Sequence, residues 1–338
     1  MLEDKMKKIK REVIKFFKNP KEVISFFLPI VFVIIMLIPV PYYVKLGGGI
    51  IPLDDKITID NQYKYKGELN ALYVSEAKGN VLLYLLSYIV PSFEKVPNEK
   101  VVLDNEKDKD YNYREKVYFE NSTDIATKVA FDKAGKEIIE SRNDYVVVYI
   151  SKDAKTDLLV GDVILKVNNN DVNNYSDIED TVNNSKEYIN MLVLRKGKKI
   201  NTRSKIIMIN NTPKIGIAIS NVKAYKTKDN IKFDFKNEGA GPSGGLMMAL
   251  SIYNKLIKQD ITNGKKIMGT GTISLDGTVG PIGGVKHKLL GAYKNHADIV
   301  IVPYENYKEA LKIKKEKKYS FKLIKVKSFD EALNKLNL

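Results

Sequence analysis

The sequence predicts an α+β fold preceded by one N-terminal transmembrane helix, and three observations carry that reading. The stretch Val23–Val44 contains no charged side chain and is rich in Phe, Leu, Ile and Val. Beyond it, short β-branched or alternating runs interleave with segments whose apolar residues recur at helical spacing. Towards the C-terminal third, the alternating run Ile231-Lys232-Phe233-Asp234-Phe235 is broken by Gly239, Gly241 and Pro242. A helical pattern, with Leu246, Met247, Leu250, Tyr253, Leu256 and Ile257 on its apolar face, then runs from Ser243 to Lys258.

Taken in order, residues 1–22 form a basic segment. Lys5, Lys7, Lys8, Lys10, Arg11, Lys15, Lys18 and Lys21 stand there against Glu3, Asp4, Glu12 and Glu22. The positive-inside rule places this flank in the cytoplasm and everything after the apolar run outside it. The segment also has the make-up of a basic interfacial helix. Residues 23–44 meet the requirement of roughly 20 apolar residues for a spanning helix. Pro29, Pro39 and Pro41 kink it or mark its outer end, where Tyr42 and Tyr43 suit the headgroup region. A cleaved signal peptide is the competing reading, but the run is long for one and no Ala-x-Ala site follows.

Residues 45–56 read as a glycine-containing linker, and residue 57 opens the folded part. Gly67–Val74 reads as a strand, Asn80–Ile89 as an apolar helix or strand, and the charged stretch Glu94–Tyr113 as loop-like. Tyr145–Ile150, Leu158–Asn168 and Met191–Gly197 carry strand patterns, and Ile206–Asn211 and Gly216–Val222 read as strands of the later domain. Asn237–Ala240 is the turn that delivers Ser243. Asp298–Val302 is a short strand closed by Pro303, and Ser328-Phe329-Asp330-Glu331 has the spacing of a capping box opening a last helix.

Composition removes several function classes. The formal charge of +15 invites a nucleic-acid reading, yet Lys is spread along the chain beside Asn, Asp and Glu with no nucleic-acid motif, so no nucleic-acid partner is expected. There is no Cys, which rules out a thiol nucleophile and a thiolate metal site. The two histidines, His287 and His296, lie in no zinc motif, and no metal or cofactor is expected. The phosphate-loop pattern Gly-x4-Gly-Lys-Ser/Thr does not occur, so ATP hydrolysis is not expected to drive the chemistry.

Ser243 stands at the strand-to-helix turn. Backbone N–H groups at a helix N-terminus point outward there and can hold an anion, including the oxyanion of a tetrahedral intermediate. A serine hydroxyl needs a base, and with histidine nearly absent the usual remaining choice is a lysine kept neutral by burial or neighbouring charge. The candidate is Lys288, within Gly280-Pro281-Ile282-Gly283-Gly284-Val285-Lys286-His287-Lys288-Leu289-Leu290-Gly291.

That segment follows the strand-and-turn stretch Gly269–Gly277, and the blocks Gly241-Pro242-Ser243-Gly244-Gly245 and Pro281–Lys288 together resemble the Lon-type Ser-Lys peptidases. The resemblance implies that Ser243 is the nucleophile, that the second lysine of the later block, Lys288 rather than Lys286, is the base, and that Thr270 orients it. Two departures stand out: Gly244 where the family has Ala, and Ala240 where ATP-dependent members carry an acid. Tyr118–Ala126, continuing to Gly135, is similar to the helix before the active-site strand of Lon-type domains. Val160-Gly161-Asp162-Val163-Ile164-Leu165 resembles a PDZ domain, a module that binds an extended peptide at a sheet edge. The residues before Tyr145 lack the Gly-Leu-Gly-Phe-like loop that would locate its groove.

The whole chain is similar to membrane-anchored, PDZ-containing Lon-type proteases of the SepM kind. The resemblance implies a Lon-type peptidase domain split into residues 57–140 and 206–338 by a PDZ-like domain at 141–205. It further implies an ATP-independent serine endopeptidase in the cell membrane, single-pass with an extracytoplasmic catalytic domain. Such an enzyme would cleave exposed segments of secreted peptides or membrane proteins. The partners implied are peptide or protein substrates, the lipid bilayer, and further copies of the chain, since Lon-type domains assemble into rings. The alternative is a catalytically inert PDZ-type adaptor that gathers membrane proteins.

Overall fold

The structure is a computed structural model that describes residues 1–236 and 241–336. The expected turn Asn237–Ala240 therefore lies outside the described residues. Two compact units emerge, one of Met1–Leu46 and Glu76–Val101, the other of Gly47–Ser75 and Val102–Leu338.

The first unit opens with α1 (Leu2–Lys18) and α2 (Pro20–Leu37). Asn19 separates them. Its side chain accepts from the Lys21 amide at 3.2 Å as an N-cap, and Pro20 takes the first helical position, where a missing N–H costs nothing. With 18 residues and none of them buried, α2 is long and apolar enough to cross a membrane. It stops at Leu37, earlier than the expected Val44, because Pro39 and Pro41 offer no N–H and hold their neighbours extended. The chain instead enters β1 (Pro39–Pro52), so most of the expected linker 45–56 is strand. From Gly47 to Ser75 the chain belongs to the second unit, with the rest of β1, β2 (Ile57–Ile59) and the first part of β3 (Glu68–Asn80). The ambiguous stretch that follows is a helix, α3 (Val81–Ile89), which Asn80 caps by accepting from the Leu83 amide at 2.8 Å. The next strand, β4 (Glu94–Pro97), pairs antiparallel with Tyr42–Lys45 of β1.

In the second unit the charged stretch expected as loop runs into α4 (Asp108–Lys133). Its charges pair with one another: the Arg114 guanidinium donates to Glu106 at 2.7 and 2.9 Å and to Glu115 at 2.9 Å. Next come β5 (Ile138–Ile150), β6 (Val163–Val167), β7 (Asn170–Asp171), α5 (Tyr175–Asn184), β8 (Tyr188–Arg195), β9 (Lys198–Lys205), the small ribbon β10 (Ile207–Ile209) and β11 (Thr212–Lys214), and β12 (Ile217–Thr227). Their sheet has the order β12-β5-β6-β8-β9. A separate core holds it to α5, with Val147, Ile164, Ile189 and Val193 from the strands and Ile178 and Val182 from the helix. β12 pairs along the full length of β5, from Ile217↔Ile150 to Thr227↔Ile138, and so joins this sheet.

Then follow β13 (Ile231–Phe233), which pairs with β2, and α6 (Gly245–Leu256), β14 (Lys266–Gly269), β15 (Thr272–Ile273), β16 (Val279–Gly280), α7 (Val285–Lys294), β17 (Ile299–Pro303), α8 (Tyr307–Lys317), β18 (Lys322–Val326) and α9 (Phe329–Leu336). The sheet here has the order β18-β17-β14-β3-β1, and β14 runs parallel to both β3 and β17, as β17 does to β18. Alternation along each strand sends side chains to opposite faces. Ala71, Ile267, Ile299 and Ile301 join α4, α6 and α9 in one core, while Leu72, Met268, Val300 and Val302 join α7 and α8 in another. The fold is thus mixed α+β overall, with helices on both faces of this sheet. At α9, Ser328 Oγ accepts from the Glu331 amide at 3.1 Å, while the Glu331 carboxylate takes the Lys327 amide at 2.6 Å, a capping box shifted by one residue.

Candidate active site

The helix carrying Ser243 at its entrance, α6, lies on one face of the parallel strands, and α7, carrying Lys288, lies on the other. The two meet beyond the carboxyl end of β14, where Thr270 follows Gly269. Loop residues at the carboxyl ends of parallel strands are the usual place for a site in such sheets.

The turn that carries Ser243 is held from two sides, by α4 and by the segment after β14. Ser122 on α4 donates its hydroxyl to the Pro242 carbonyl at 3.1 Å, the Gly241 amide donates to the Glu115 carbonyl at 3.2 Å, and the Gly271 amide donates to the Ser243 carbonyl at 2.8 Å. The amides of Gly245 and Leu246 are used within the fold, by the carbonyls of Pro242 and Gly271. Gly244 has φ −93° and ψ −6°, a conformation open to any residue. A Cβ there would meet only the Ala71 Cβ at 3.7 Å and the Met248 Cε at 4.0 Å, so the alanine found in the resembling peptidases would fit.

Lys288 is reached differently. Gly284 opens α7 with φ +70°, and Lys286, exposed, lies on the solvent side of the first turn, while His287 and Lys288 are buried. The Lys288 side chain, 4% exposed, places Nζ 2.9 Å from Ser243 Oγ and 2.9 Å from Thr270 Oγ1. The Thr270 hydroxyl in turn donates to the Ser243 carbonyl at 3.0 Å. Thr270 therefore fixes both the lysine and the main chain of the serine.

Ser243, Lys288 and Thr270 are thus brought together. Three further residues escaped sequence reasoning. Ser122 sits in a helix read only as support, though a run of Ser122, Thr123 and Thr127 at buried helical positions was a signal. Asn306 clamps the loop before α7, accepting from the Ile282 amide at 2.9 Å and donating to its carbonyl at 3.0 Å; nothing local announces it. Gly48, read as linker, packs against the α7 backbone. An acidic neighbour of the turn that carries Ser243 comes from elsewhere in the chain. Ala240 lies outside the described residues, but a Cβ on Gly241 would come within 2.8 Å of the Glu115 carboxylate of α4.

The strand beside Tyr145–Ile150 is β12, which enters through Ile215-Gly216-Ile217 with Gly216 at φ +73°. On α4, Asn121 Oδ1 accepts from the Lys223 amide of β12 at 3.5 Å, one residue from the Ser122 bond to the Pro242 carbonyl.

Residues 218–337 match the Lon protease (S16) C-terminal proteolytic domain. Similar proteins include the Lon protease of Mesomycoplasma hyopneumoniae strain 232, 38% identical over 127 residues, which are 34% of this chain and 14% of that protein. Lon protease 2 of Borreliella burgdorferi (strain ATCC 35210) is 35% identical over 135 residues, 36% of this chain and 16% of its own length. Lon protease 2 of Bacillus subtilis strain 168 is 41% identical over 96 residues, 28% of this chain and 16% of its own length. The chain thus spans 14% to 16% of the length of these relatives. The stretch that holds Ser243, Thr270 and Lys288 is therefore similar to the proteolytic domain of Lon proteases, and that similarity indicates a serine peptidase.

Proposed function

We propose that this chain is a membrane-anchored, ATP-independent serine endopeptidase in which Ser243 is the nucleophile and Lys288 the general base and later acid. The observation that carries the reading is the 2.9 Å approach of Lys288 Nζ to Ser243 Oγ inside a buried site braced by Thr270. With the amine neutral, the serine hydroxyl donates to it, and Oγ attacks the scissile carbonyl as its proton passes to Nζ. The resulting ammonium gives that proton to the leaving amine. Water then hydrolyses the acyl-enzyme, with Lys288 again taking a proton. Because Gly245 and Leu246 use their amides internally, stabilisation of the oxyanion falls to the amides of Ser243 and Gly244.

In this reading α2 is the anchor, the basic flank before it stays in the cytoplasm, and the peptidase acts outside on exposed or flexible segments of secreted peptides and membrane proteins. The strands β5 to β9 with α5 form a PDZ-like recruiting module, and β12, from the stretch similar to Lon proteolytic domains, lies along its edge. A substrate segment adds to the outer edge of β12, entering at Ile215-Gly216-Ile217. The neighbouring contacts of Asn121 and Ser122 on α4 support coupling between that strand and the nucleophile turn.

The test is cleavage of an unstructured reporter peptide by the purified full chain. Ser243→Ala and Lys288→Met should each lower turnover about a thousandfold or more while leaving the fold intact. Retained turnover in either would sink the dyad. Protease added to intact protoplasts should digest the region after Lys45, and protection of that region would overturn the orientation.

A further inference from the structure

The α3 sequence is Val-Leu-Leu-Tyr-Leu-Leu-Ser-Tyr-Ile, and no charged residue occurs from Val81 to Phe93. A helix that is apolar on every side normally lies within a protein core or a bilayer. No α3 residue is buried, and Leu82, Leu85, Tyr88 and Ile89 are 42%, 46%, 67% and 75% exposed. Meanwhile its polar backbone groups are served locally. The Val81 amide donates to the Ile38 carbonyl at 3.0 Å, the Leu83 amide to the Asn80 side chain, the Val90 amide to the Leu86 carbonyl at 2.8 Å, and the Ser87 hydroxyl to the Tyr84 carbonyl at 2.6 Å. Satisfaction of this kind is what a hydrocarbon environment requires.

The bond from Val81 to Ile38 sets the first turn of α3 beside the last residues of α2, within the same unit. Around it the Tyr84 ring lies 5.4 Å from that of Tyr42, and the Lys95 ammonium sits over the rings of Tyr84 and Tyr88 at 4.4 and 3.5 Å. Tyrosine and lysine suit the headgroup level, where an apolar body can dip into the acyl region while the polar end stays wet. At roughly 13 Å, α3 is too short to span a bilayer.

We infer that α3 is a second lipid-contacting element, embedded at the headgroup–acyl boundary of the outer leaflet beside the outer end of α2. Leu82, Leu85 and Ile89 face acyl chains, and Tyr42, Tyr84 and Lys95 face headgroups. The inference rests on the proposed anchoring by α2. Lipid is favoured as the occupant because the α3 patch is continuous with the exposed apolar surface of α2, and because Lys95 complements anionic headgroups.

The chain has no cysteine, so single-cysteine variants label at one place only. Full-length protein carrying Leu85→Cys in α3, Val31→Cys in α2 or Lys315→Cys in α8 is labelled with an environment-sensitive fluorophore and reconstituted into phosphatidylcholine–phosphatidylglycerol vesicles. The Leu85→Cys probe should match the Val31→Cys probe: blue-shifted emission, protection from aqueous iodide, and quenching by brominated acyl chains. The Lys315→Cys probe should show the reverse. Iodide quenching at Leu85→Cys with lipid quenching at Val31→Cys would overturn the α3 inference and leave the anchor standing. Shielding of Leu85→Cys from both quenchers would mean that a second copy or another protein covers α3, which also overturns it. Iodide access at Val31→Cys would remove the anchor and this inference together. Tyr88→Cys, at a more exposed position, repeats the measurement if Leu85→Cys folds poorly.

Discussion

A Cβ placed on Gly48 would lie 2.0 Å from the backbone carbonyl oxygen of His287, so the strand β1 and the helix that carries Lys288 touch main chain to main chain. The neighbouring atoms are backbone and cannot swing aside. Gly48→Ala should therefore push α7 away from the sheet, at a cost of about 1–3 kcal/mol in stability. A displacement of this size at Lys288 should lower kcat about a hundredfold, with the protein still folded at low temperature. Thermal denaturation and peptide turnover of the variant check both; full activity would mean that the position of α7 does not depend on this contact.

Lys286→Met should keep near-normal turnover, since Lys286 is exposed and Lys288 is the lysine beside Ser243. Lys288→Arg should fail as completely as Lys288→Met, because a guanidinium stays protonated and cannot accept the serine proton. Thr270→Val removes one bond to the amine and one to the Ser243 carbonyl, so its loss should be intermediate, about 10- to 100-fold in kcat. Retained turnover in Lys288→Arg, or loss of activity in Lys286→Met, would show that a different group is the base.

Gly244→Ala should be tolerated and should raise stability by about 0.4–1 kcal/mol. Backbone angles at this residue suit alanine, the added methyl has room, and the unfolded chain loses freedom. Denaturant titration reads the gain. A drop in stability would mean that the turn needs glycine for a reason its geometry does not contain.

Asp124 on α4 is half-buried, and its carboxyl is pushed up to about 6, chiefly by burial; Arg142 opposes the shift and Glu120 adds to it. A folded-state value above the free one means that the charged form is disfavoured in the fold. The associated stability is fully present below about 4 and is lost as pH rises through about 6. After allowance for partial exposure, the effect should be roughly 1–2 kcal/mol. Asp124→Asn should flatten stability between those pH values and leave the protein as stable or more stable at neutral pH. Denaturation midpoints of both proteins at pH 4, 5, 6 and 7, nominal values of about that spacing, measure it.

The local signals were strong where one element decides its own form. Helical spacing after Ser243, β-branched runs such as Tyr145–Ile150, and the Ser328–Glu331 spacing all correspond to helices and strands at those places. The uncharged run Val23–Val44 overlaps α2, which is long and apolar enough to cross a membrane, because apolar composition over that distance is a property of the run itself. Its end was misplaced by several residues, since two prolines convert the last part to strand. Asn80–Ile89 stayed ambiguous because a short apolar run has no periodicity to read, and the cap at Asn80 settles it only once the Leu83 amide is in place.

By itself the sequence determined the candidate nucleophile, the absence of any thiol and the short choice of bases, for these follow from which residue types exist and how they are spaced. Tertiary structure decided which groups meet. Ser243 and Lys288 arrive from helices on opposite faces of one sheet, with Thr270 between them at the end of β14, and only the packing of that sheet sets a 2.9 Å approach. It also decided that β12 lies along β5, that Ser122 and Asn306 brace loops distant in sequence, and that Gly48 is a packing contact rather than a linker residue. Periodicity reports which face of an element avoids water; it does not say which other element covers that face, because the apolar attraction that drives the covering has no direction of its own.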